Sequence, residues 1–228
     1  MAYVINPAAR PACAVVGTDA RFPVHRIYCV GRNYAEHARE MGNDPEREPP
    51  FFFSKPADAI VANHSDVAYP PATANLHHEV ELVVAIGRAG AVIAEKHAQD
   101  YVYGYAVGND LTRRDLQAAA KGGGRPWDTA KGFDQSAPLA PLHPVADFGP
   151  ITGGAITLQV NGELKQKGRV EDMIWSVPEI ISHLSSLYVL QPGDLIFTGT
   201  PAGVSALERG DAVEGRIADL TPLVHRVI

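Results

Sequence analysis

The chain has 228 residues, of which 46% are hydrophobic and 20% are charged, so it is long enough to bury one full core as a globular domain. Its formal net charge of −6 argues against a nucleic-acid partner, because surfaces that bind nucleic acids are basic. Two cysteines make no disulfide framework, and no apolar run approaches the about 20 residues of a membrane span, so the composition predicts a cytoplasmic protein with no membrane partner.

The first part of the chain predicts short elements. Residues 1–24 carry no strong pattern and are expected to form a strand-rich lead-in to a single domain over residues 25–228. A short apolar run predicts a strand at 27–30, and a segment with clear start and stop signals predicts a helix over 34–41. Prolines and charged side chains at 43–50 predict an exposed, mobile loop.

The middle of the chain alternates strand and helix signals. Strands are predicted at 77–86 and 101–109. Thr112 with Asp115 is a helix start signal, and the predicted helix ends at the glycines of 122–124.

The last part of the chain contains a hairpin and a capped helix. Asn161-Gly162 is a strong turn signal between two strands predicted at 156–160 and 163–166. A capping box at 176–179 predicts a helix with an apolar stripe, and a turn at 192–194 leads into a strand at 195–198; the stripe comprises Ile180, Ile181, Leu184 and Leu187. Because strands outnumber helices and the helices are short, the sequence predicts a mainly β fold with short helices, of the α+β class.

Two carboxylates interrupt the apolar strand at 77–86. Side chains alternate between the faces of a strand, so Glu79 and Glu81 point to the same side. Two like charges on a half-buried surface repel each other and are costly to desolvate, and a divalent cation with oxygen ligands removes both problems. An exposed sheet face is the alternative for an isolated Glu-x-Glu.

Four further residues join this hypothesis. His37 and Glu40 share a helix face, which suits a carboxylate-oriented base that activates water, although such a pair alone is more often a solvated surface. Asp110 ends a predicted strand and is either a third metal ligand or a turn aspartate. Lys131 is the candidate cation that balances the carboxylates, with a solvated loop lysine as the alternative.

The remaining polar signals are weaker. Arg114 and Gln117 belong to a polar row on the helix that begins near 112, and a turn at Gly199-Thr200-Pro201 is a candidate for binding a small anion through its backbone N–H groups. His77 and His78 precede the carboxylates without metal-ligand spacing, so one of them is a candidate support for those ligands. The chain lacks a G-x-S-x-G elbow, a Walker A loop and an H-E-x-x-H motif, which disfavours a serine hydrolase and a nucleotide enzyme.

Six ordered blocks of sequence resemble the fumarylacetoacetate hydrolase family over roughly residues 25–217. They are residues 28–37 (YCVGRNYAEH), 77–81 (HHEVE), 103–105 (YGY), 110–115 (DLTRRD), 131–134 (KGFD) and 197–204 (FTGTPAGV). Within the family, residues 49–56 (PPFFFSKP) and 125–131 (RPWDTAK) are most similar to the fumarylpyruvate hydrolases of gentisate breakdown. The resemblance implies curved mixed β-sheets rolled around a central metal site, and a homodimer.

The resemblance also implies a role for each candidate residue. By position, Glu79, Glu81 and Asp110 match the metal ligands, with Mg²⁺ as the expected ion and Mn²⁺ or Ca²⁺ as alternatives. The water-handling dyad matches His37 and Glu40, and Lys131 matches the lysine beside the metal. Substrate-contacting positions match Arg114, Gln117 and Thr200.

The function implied is metal-dependent hydrolysis of the carbon–carbon bond of an acylpyruvate, converting fumarylpyruvate and water to fumarate and pyruvate in aromatic catabolism. Arg114 or Arg125 is the candidate cation for the far carboxylate of that substrate, and the loop at 43–50 is a candidate lid. An oxaloacetate decarboxylase, a keto-acid isomerase and a non-catalytic binding protein on the same scaffold are the alternatives.

Overall fold

The computed structural model describes residues 3–40 and 48–228. The described chain is mainly β with short helices, as predicted. Its strands, in chain order, are β1 (Ala12–Val15), β2 (Thr18–Pro23), β3 (Arg26–Gly31), β4 (Phe51–Lys55), β5 (Ile60–Ala62), β6 (Asp66–Val67), β7 (Leu76–His77), β8 (Val80–Ile86), β9 (Val102–Asn109), β10 (Thr112–Arg113), β11 (Ala137–Leu139), β12 (His143–Pro144), β13 (Ala155–Val160), β14 (Glu163–Arg169), β15 (Asp194–Phe197), β16 (Ala206–Leu207), β17 (Ala212–Ile217) and β18 (Leu223–Val227).

The helices are few and short. The α-helices are α1 (Ala35–Glu40), α2 (Arg114–Gly122), α3 (Asp128–Lys131), α4 (Val145–Phe148) and α5 (Val177–Leu187), and 3-10 turns occupy Ala57–Ala59, Glu95–Tyr101 and Val170–Asp172. Among the helices of residues 3–40 and 48–228, none combines the length and apolar character that crossing a bilayer requires.

A mixed sheet of eight strands forms the centre of the fold, in the order β4-β3-β15-β8-β9-β11-β5, with β12 also paired to β9. Strands β3 and β15 are parallel, whereas β15 with β8 and β8 with β9 are antiparallel. The carboxyl ends of β3, β15 and β9 therefore meet the start of β8 at one edge of the sheet. Since β4 is antiparallel to β3, its first residues reach the same edge.

A second sheet, with the order β14-β13-β17-β18-β6, packs against one face of the central sheet. The core between the two sheets takes the alternate residues Val80, Leu82, Val84 and Ile86 of β8, whereas Val83 and Ala85 pack on the opposite face, which the β1–β2 hairpin helps to cover. Strand β8 is thus buried on both faces, and Glu81 lies on the Val83 face. A charged residue within such a strand must find its partners inside the protein.

The predicted hairpin and the predicted long helix are both present. Asn161 and Gly162 have φ values of 51° and 80°, the left-handed pair that a two-residue turn between β13 and β14 requires. Helix α5 begins with the predicted capping box, in which the Glu179 carboxylate accepts from the Ser176 backbone N–H at 2.9 Å. Its stripe ends earlier than predicted, because Leu187 is the last helical residue and is 64% exposed beyond the core.

Three other predicted elements need adjustment. The strand predicted at 77–86 is divided into β7 and β8, and β7 pairs with β10 and β16 in a separate three-stranded sheet. Helix α2 begins at Arg114, because Thr112 belongs to β10 and its hydroxyl donates to the Asp110 carbonyl. Helix α1 begins one residue later than predicted, and Met41 with most of the loop predicted at 43–50 lies outside the described residues.

Candidate active site

The ends of the central strands place the candidate residues around one cleft. Glu79 and Glu81 lie at the start of β8, Asp110 follows β9, and the turn at 199–200 follows β15. The cleft encloses about 480 Å³, including space open to solvent, and is lined by Val30, Gly31, Arg32, His37, Phe53, Glu79, Glu81, Asp110, Arg114, Gln117, Lys121, Trp127, Lys131, Gly199 and Thr200. The structure therefore brings together every predicted site residue except Glu40, which contacts the cleft through His37.

Three buried carboxylates form what we call the inner end of the cleft. One oxygen of each of Glu79, Glu81 and Asp110 lies within 4.8 Å of the other two. The Lys131 ammonium donates to Glu79 Oε2 and to Asp110 Oδ2, both at 2.7 Å. Lys55 completes the inner end, since its Nζ lies 2.8 Å from Asp110 Oδ1.

The carboxylates of the inner end are held in different electrostatic states. Burial alone raises the pKa of Glu79, but the charges of Lys131 and Arg114 lower it below its ordinary value. Burial, with the charges of Asp110 and Glu79, raises the pKa of Glu81 well above its ordinary value. Glu81 Oε2 accepts from the Gly199 backbone N–H at 2.8 Å, and no side-chain cation among the described residues pairs with it. Glu81 is therefore the carboxylate that most needs a further positive charge.

This donor set fits a divalent cation of the hard type. The three side chains offer only oxygen atoms, which Mg²⁺, Mn²⁺ and Ca²⁺ prefer, and they offer no sulfur or imidazole ligand. A dication beside Glu81 also offsets the desolvation that disfavours its ionised form.

Arg114 and Gln117, on the first turns of α2, form the side of the inner end. Arg114 donates to Glu79 Oε1 at 2.5 Å and to Gln117 Oε1 at 2.5 Å, and its Nε lies 3.4 Å from His77 Nδ1. Each of its three nitrogens thus has one partner within the protein, which leaves two of its five N–H groups for a ligand. The hydrogen bond from Arg114 to the Gln117 oxygen also fixes the orientation of the Gln117 amide nitrogen.

Thr200 and Gly199 close the other side. The Thr200 hydroxyl donates to the Val80 carbonyl at 2.7 Å and accepts from Gln166 Nε2 at 2.8 Å. The Gly199 N–H that was a candidate for a small anion instead serves the Glu81 carboxylate. The turn thus ties β15 to the start of β8 and fixes the orientation of Glu81.

The dyad on α1 faces the inner end from across the cleft. His37 is buried and lines the cleft, and its Nδ1 lies 3.2 Å from Glu40 Oε2. Glu40 is held in turn by the Gly203 backbone N–H, at 3.2 Å from Oε2. With Nδ1–H donated to Glu40, the lone pair of His37 Nε2 is available to the cleft.

One arginine and three aromatic side chains form what we call the outer end of the cleft: Arg32, Phe53 and Trp127 line the cleft, and Phe51 packs against Arg32 and Trp127. The Trp127 ring lies 5.1 Å from the Phe51 ring in an edge-on arrangement and 5.8 Å from the Phe53 ring. Arg125, a candidate for the far carboxylate of the substrate, is exposed and does not line the cleft.

Sequence reasoning missed Lys55. Its ammonium donates to the carbonyls of Leu111 and Lys131 as well as pairing with Asp110, so it joins three segments of the site. The available signal is a period of two in β4, which places Lys55 on the same face as Phe51 and Phe53.

A buried polar network beneath the carboxylates was missed as well. Gln166 Oε1 accepts from the Val80 N–H, and His78 Nδ1 lies 2.9 Å from the same oxygen. Asn109 Oδ1 accepts from the Glu79 N–H, and its amide nitrogen lies 3.0 Å from His225 Nε2. His225, to which the sequence assigned no role, therefore supports the residue that holds the backbone of Glu79.

Comparison with known proteins agrees with this geometry. The family model described as fumarylacetoacetate (FAA) hydrolase C-terminal matches residues 26–228. A fumarylpyruvate hydrolase of a Ralstonia species is 46% identical over 79% of this chain and 93% of the relative. The mitochondrial oxaloacetate tautomerase of Rattus norvegicus is 43% identical over 88% of this chain and 90% of the relative.

A solved structure extends the comparison to three dimensions. The crystal structure of fumarylpyruvate hydrolase from Pseudomonas aeruginosa, in complex with Mn²⁺ and pyruvate, superposes with a TM-score of 0.97 at 52% identity and covers 100% of this chain and 99% of that chain.

Proposed function

Because the chain belongs to the fumarylacetoacetate hydrolase family, we propose that its cleft hydrolyses the carbon–carbon bond of an acylpyruvate, with fumarylpyruvate as the substrate and fumarate and pyruvate as the products. The observation that carries this proposal is the position of the His37–Glu40 dyad in the same cleft as three buried carboxylates. One side of the cleft offers a base for water, and the other offers a place for a dication and a chelating keto acid.

The proposed metal ligands are Glu79, Glu81 and Asp110, and the proposed ion is Mg²⁺, with Mn²⁺ as the alternative that the Pseudomonas aeruginosa relative contains. When bound, a divalent ion supplies Lewis-acid stabilisation of the negative charge that develops on the keto acid. The chain's own residues set the rest of the chemistry.

His37 is the proposed base. Its Nε2 takes a proton from water, and the oxygen of that water attacks the carbonyl that is farther from the pyruvate carboxylate. The bond between that carbonyl carbon and the neighbouring methylene then breaks, and its electron pair stays on the pyruvate half as an enolate, which takes up a proton. Glu40, held by Gly203, keeps the imidazole oriented during this step.

Lys131 and Gln117 are the proposed donors to developing oxyanions. An ammonium group has three N–H donors, and Lys131 uses two of them on Glu79 and Asp110. Gln117 has its oxygen engaged by Arg114, which directs the amide N–H groups elsewhere. Preorganised donors of this kind commonly contribute a few kcal/mol each to transition-state stabilisation. Thr200 and Arg114 complete the proposed substrate-binding residues.

The first experiment is turnover of fumarylpyruvate, followed by loss of its enol–diketone absorbance, with Mg²⁺, with Mn²⁺ and with excess chelator. We expect rapid, metal-dependent loss with release of fumarate and pyruvate. Absence of turnover under all metal conditions would overturn the proposed hydrolase function.

Oxaloacetate chemistry is the second candidate, and the Rattus norvegicus relative at 43% identity favours it. Tautomerisation or decarboxylation of oxaloacetate needs stabilisation of an enolate but no attack by water. A His37→Ala variant that loses fumarylpyruvate hydrolysis and keeps activity on oxaloacetate would separate the two. Activity of the unaltered protein on oxaloacetate alone would move the function to this candidate.

The setting of the enzyme is proposed on the same grounds. We expect a catalytic domain over residues 25–228, a homodimer in solution, a cytoplasmic location and a place in aromatic catabolism. Light scattering of the purified protein measures the assembly directly.

A further inference from the structure

Arg32 is the one residue of the outer end with an unusual backbone. It directly follows β3, and its φ of 58° lies in the left-handed region, which residues other than glycine rarely adopt. Such conformations persist where the surrounding structure enforces them, and they are concentrated at functional sites. Arg32 lines the cleft together with Val30 and Gly31, which precede it at the end of β3.

The guanidinium of Arg32 lies over the face of Phe51, 5.4 Å from the ring centroid. Among the described residues no carboxylate pairs with it, in contrast to Arg114, whose guanidinium is engaged by Glu79 and Gln117. A guanidinium stacked on a ring keeps its in-plane N–H groups available, and these match the two oxygens of a carboxylate.

The aromatic rings beside Arg32 are fixed in place. Gly31 allows the Phe51 ring to lie across the backbone, because a Cβ at this position would be 2.0 Å from Phe51 Cζ. Trp127 packs edge-on against the same ring, so Phe51 is held between Gly31 and Trp127 although it is 36% exposed. Phe51 therefore places the Arg32 guanidinium beside the Phe53 and Trp127 rings that line the cleft.

We propose that Arg32, Phe53 and Trp127, the cleft-lining residues of the outer end, form a subsite for the far end of a dianionic 2,4-diketo acid, a proposal that rests on the proposed hydrolase function. Arg32 binds the carboxylate farther from the scissile bond, and the two rings contact the planar conjugated segment between that carboxylate and the reacting carbonyl. The inner end then binds the keto acid half, and the outer end selects acylpyruvates with a second carboxylate.

Lys121 is the competing cation, because it also lines the cleft. It lies on the last turn of α2, and an ammonium gives a carboxylate a less directional contact than the planar fork of a guanidinium does. Arg32 is therefore the assigned partner, and Lys121→Met is included in the test.

The kinetic test compares fumarylpyruvate with acetylpyruvate, in which a methyl group replaces the unsaturated acid. Arg32→Met should lower kcat/KM for fumarylpyruvate by about ten- to a hundredfold, the size of one charge-assisted contact, and leave acetylpyruvate within about twofold. Arg32→Gly should behave in the same way, because glycine accepts the left-handed backbone and removes only the side chain. The matched control is Arg216→Met, which removes an exposed arginine outside the cleft.

A binding test is independent of turnover. Calorimetry would compare fumarate with crotonate, the same trans acid with a methyl group in place of one carboxylate, in the presence of Mn²⁺. The unaltered protein should bind fumarate more tightly than crotonate, and Arg32→Met should remove that difference. Failure of the unaltered protein to hydrolyse fumarylpyruvate would count against the proposed function, whereas this calorimetric difference tests Arg32 in either case.

Three outcomes would overturn the assignment. One is an equal loss on both diketo acids, which would place Arg32 in the shared chemistry or in folding. Another is a loss of selectivity in Lys121→Met but not in Arg32→Met. The last is a fumarate preference that survives in Arg32→Met and Arg32→Gly, both shown to be folded by circular dichroism.

Discussion

The inner and outer ends of the cleft hold their cations in opposite ways. At the inner end Lys131 is 2% exposed and donates to two carboxylates, and Lys55 is as deeply buried and pairs with one of them. At the outer end Arg32 is half-buried, and its guanidinium lies over an aromatic ring with no carboxylate partner among residues 3–40 and 48–228. A buried ion pair is costly to break, and its cation has few N–H donors left for a ligand. A guanidinium that lies over a ring without a carboxylate partner keeps N–H donors that can bind a ligand. The ion pairs of the inner end therefore fix its geometry, whereas the outer end is the part of the cleft that can discriminate between substrates.

Replacing Lys131 breaks the inner end most severely. Lys131→Met leaves the buried carboxylates of Glu79 and Asp110 without their shared ammonium, so the free energy of unfolding of the metal-free protein should fall by about 3–5 kcal/mol. Turnover of fumarylpyruvate should fall by about three orders of magnitude or more. Chemical denaturation with and without Mn²⁺ measures the first effect, and we expect the metal to restore part of the stability but not the turnover. Unchanged stability would show that these pairs are not what holds the inner end together.

Replacing His37 separates chemistry from structure. His37→Ala should reduce hydrolysis by about 10²–10⁴-fold, the usual contribution of a general base, and should spare metal binding because His37 is not among the carboxylate ligands. Single-turnover kinetics and calorimetric Mn²⁺ titration measure the two effects. Glu36→Ala, on an exposed position of the same helix, is the matched control. Full hydrolysis in His37→Ala would remove His37 from the mechanism.

Replacing Lys55 tests whether a residue outside the sequence motifs positions the inner end. Lys55→Met should cost about 3 kcal/mol of stability in the metal-free protein, because Asp110 loses a buried partner and two carbonyls lose a donor. Lys165→Met is the control, since its pair with Glu163 is solvent-exposed and worth well under about 1 kcal/mol. Equal melting temperatures for the two variants would contradict the prediction.

Acid should weaken the support beneath the inner end. Burial, with a smaller contribution from His78, lowers the pKa of His225 to about 4 from its ordinary value of 6.5. The unfolded chain therefore binds a proton at a higher pH than the folded chain. The stability contributed by neutral His225 is complete above about pH 6.5 and is lost as the pH falls toward 4, by about 3 kcal/mol.

Urea denaturation between pH 4 and pH 7.5 measures this loss. His225→Gln should show a shallower decrease in stability than the unaltered protein, because glutamine accepts from Asn109 but does not titrate. His97→Gln, at an exposed position, should keep the full decrease. Parallel curves for the unaltered protein and His225→Gln would assign the acid sensitivity to other groups.

Local patterns in the sequence were sufficient for several features of the molecule. The left-handed turn at Asn161 and Gly162, the capping box at Ser176 and the same-face placement of Glu79 and Glu81 each depend on neighbours within a few residues. Short-range backbone preferences and strand periodicity decide such features, so they can be predicted from the sequence.

The contacts that make those carboxylates a site depend on strand order, which no local pattern encodes. Lys55, on β4, pairs with Asp110, 55 positions later in the chain, although β3, β15 and β8 lie between β4 and β9 in the sheet, so the three-dimensional course of the whole sheet decides this contact. The same order brings Arg32, at the end of β3, to the edge where β8 begins. The sequence by itself determined the carboxylate pair, the helix that carries the dyad and the mainly β class. Only the tertiary structure decided which cations pair with buried carboxylates and which one lies over an aromatic ring, because the pairing of buried charge is set by neighbours that are distant in sequence and adjacent in space.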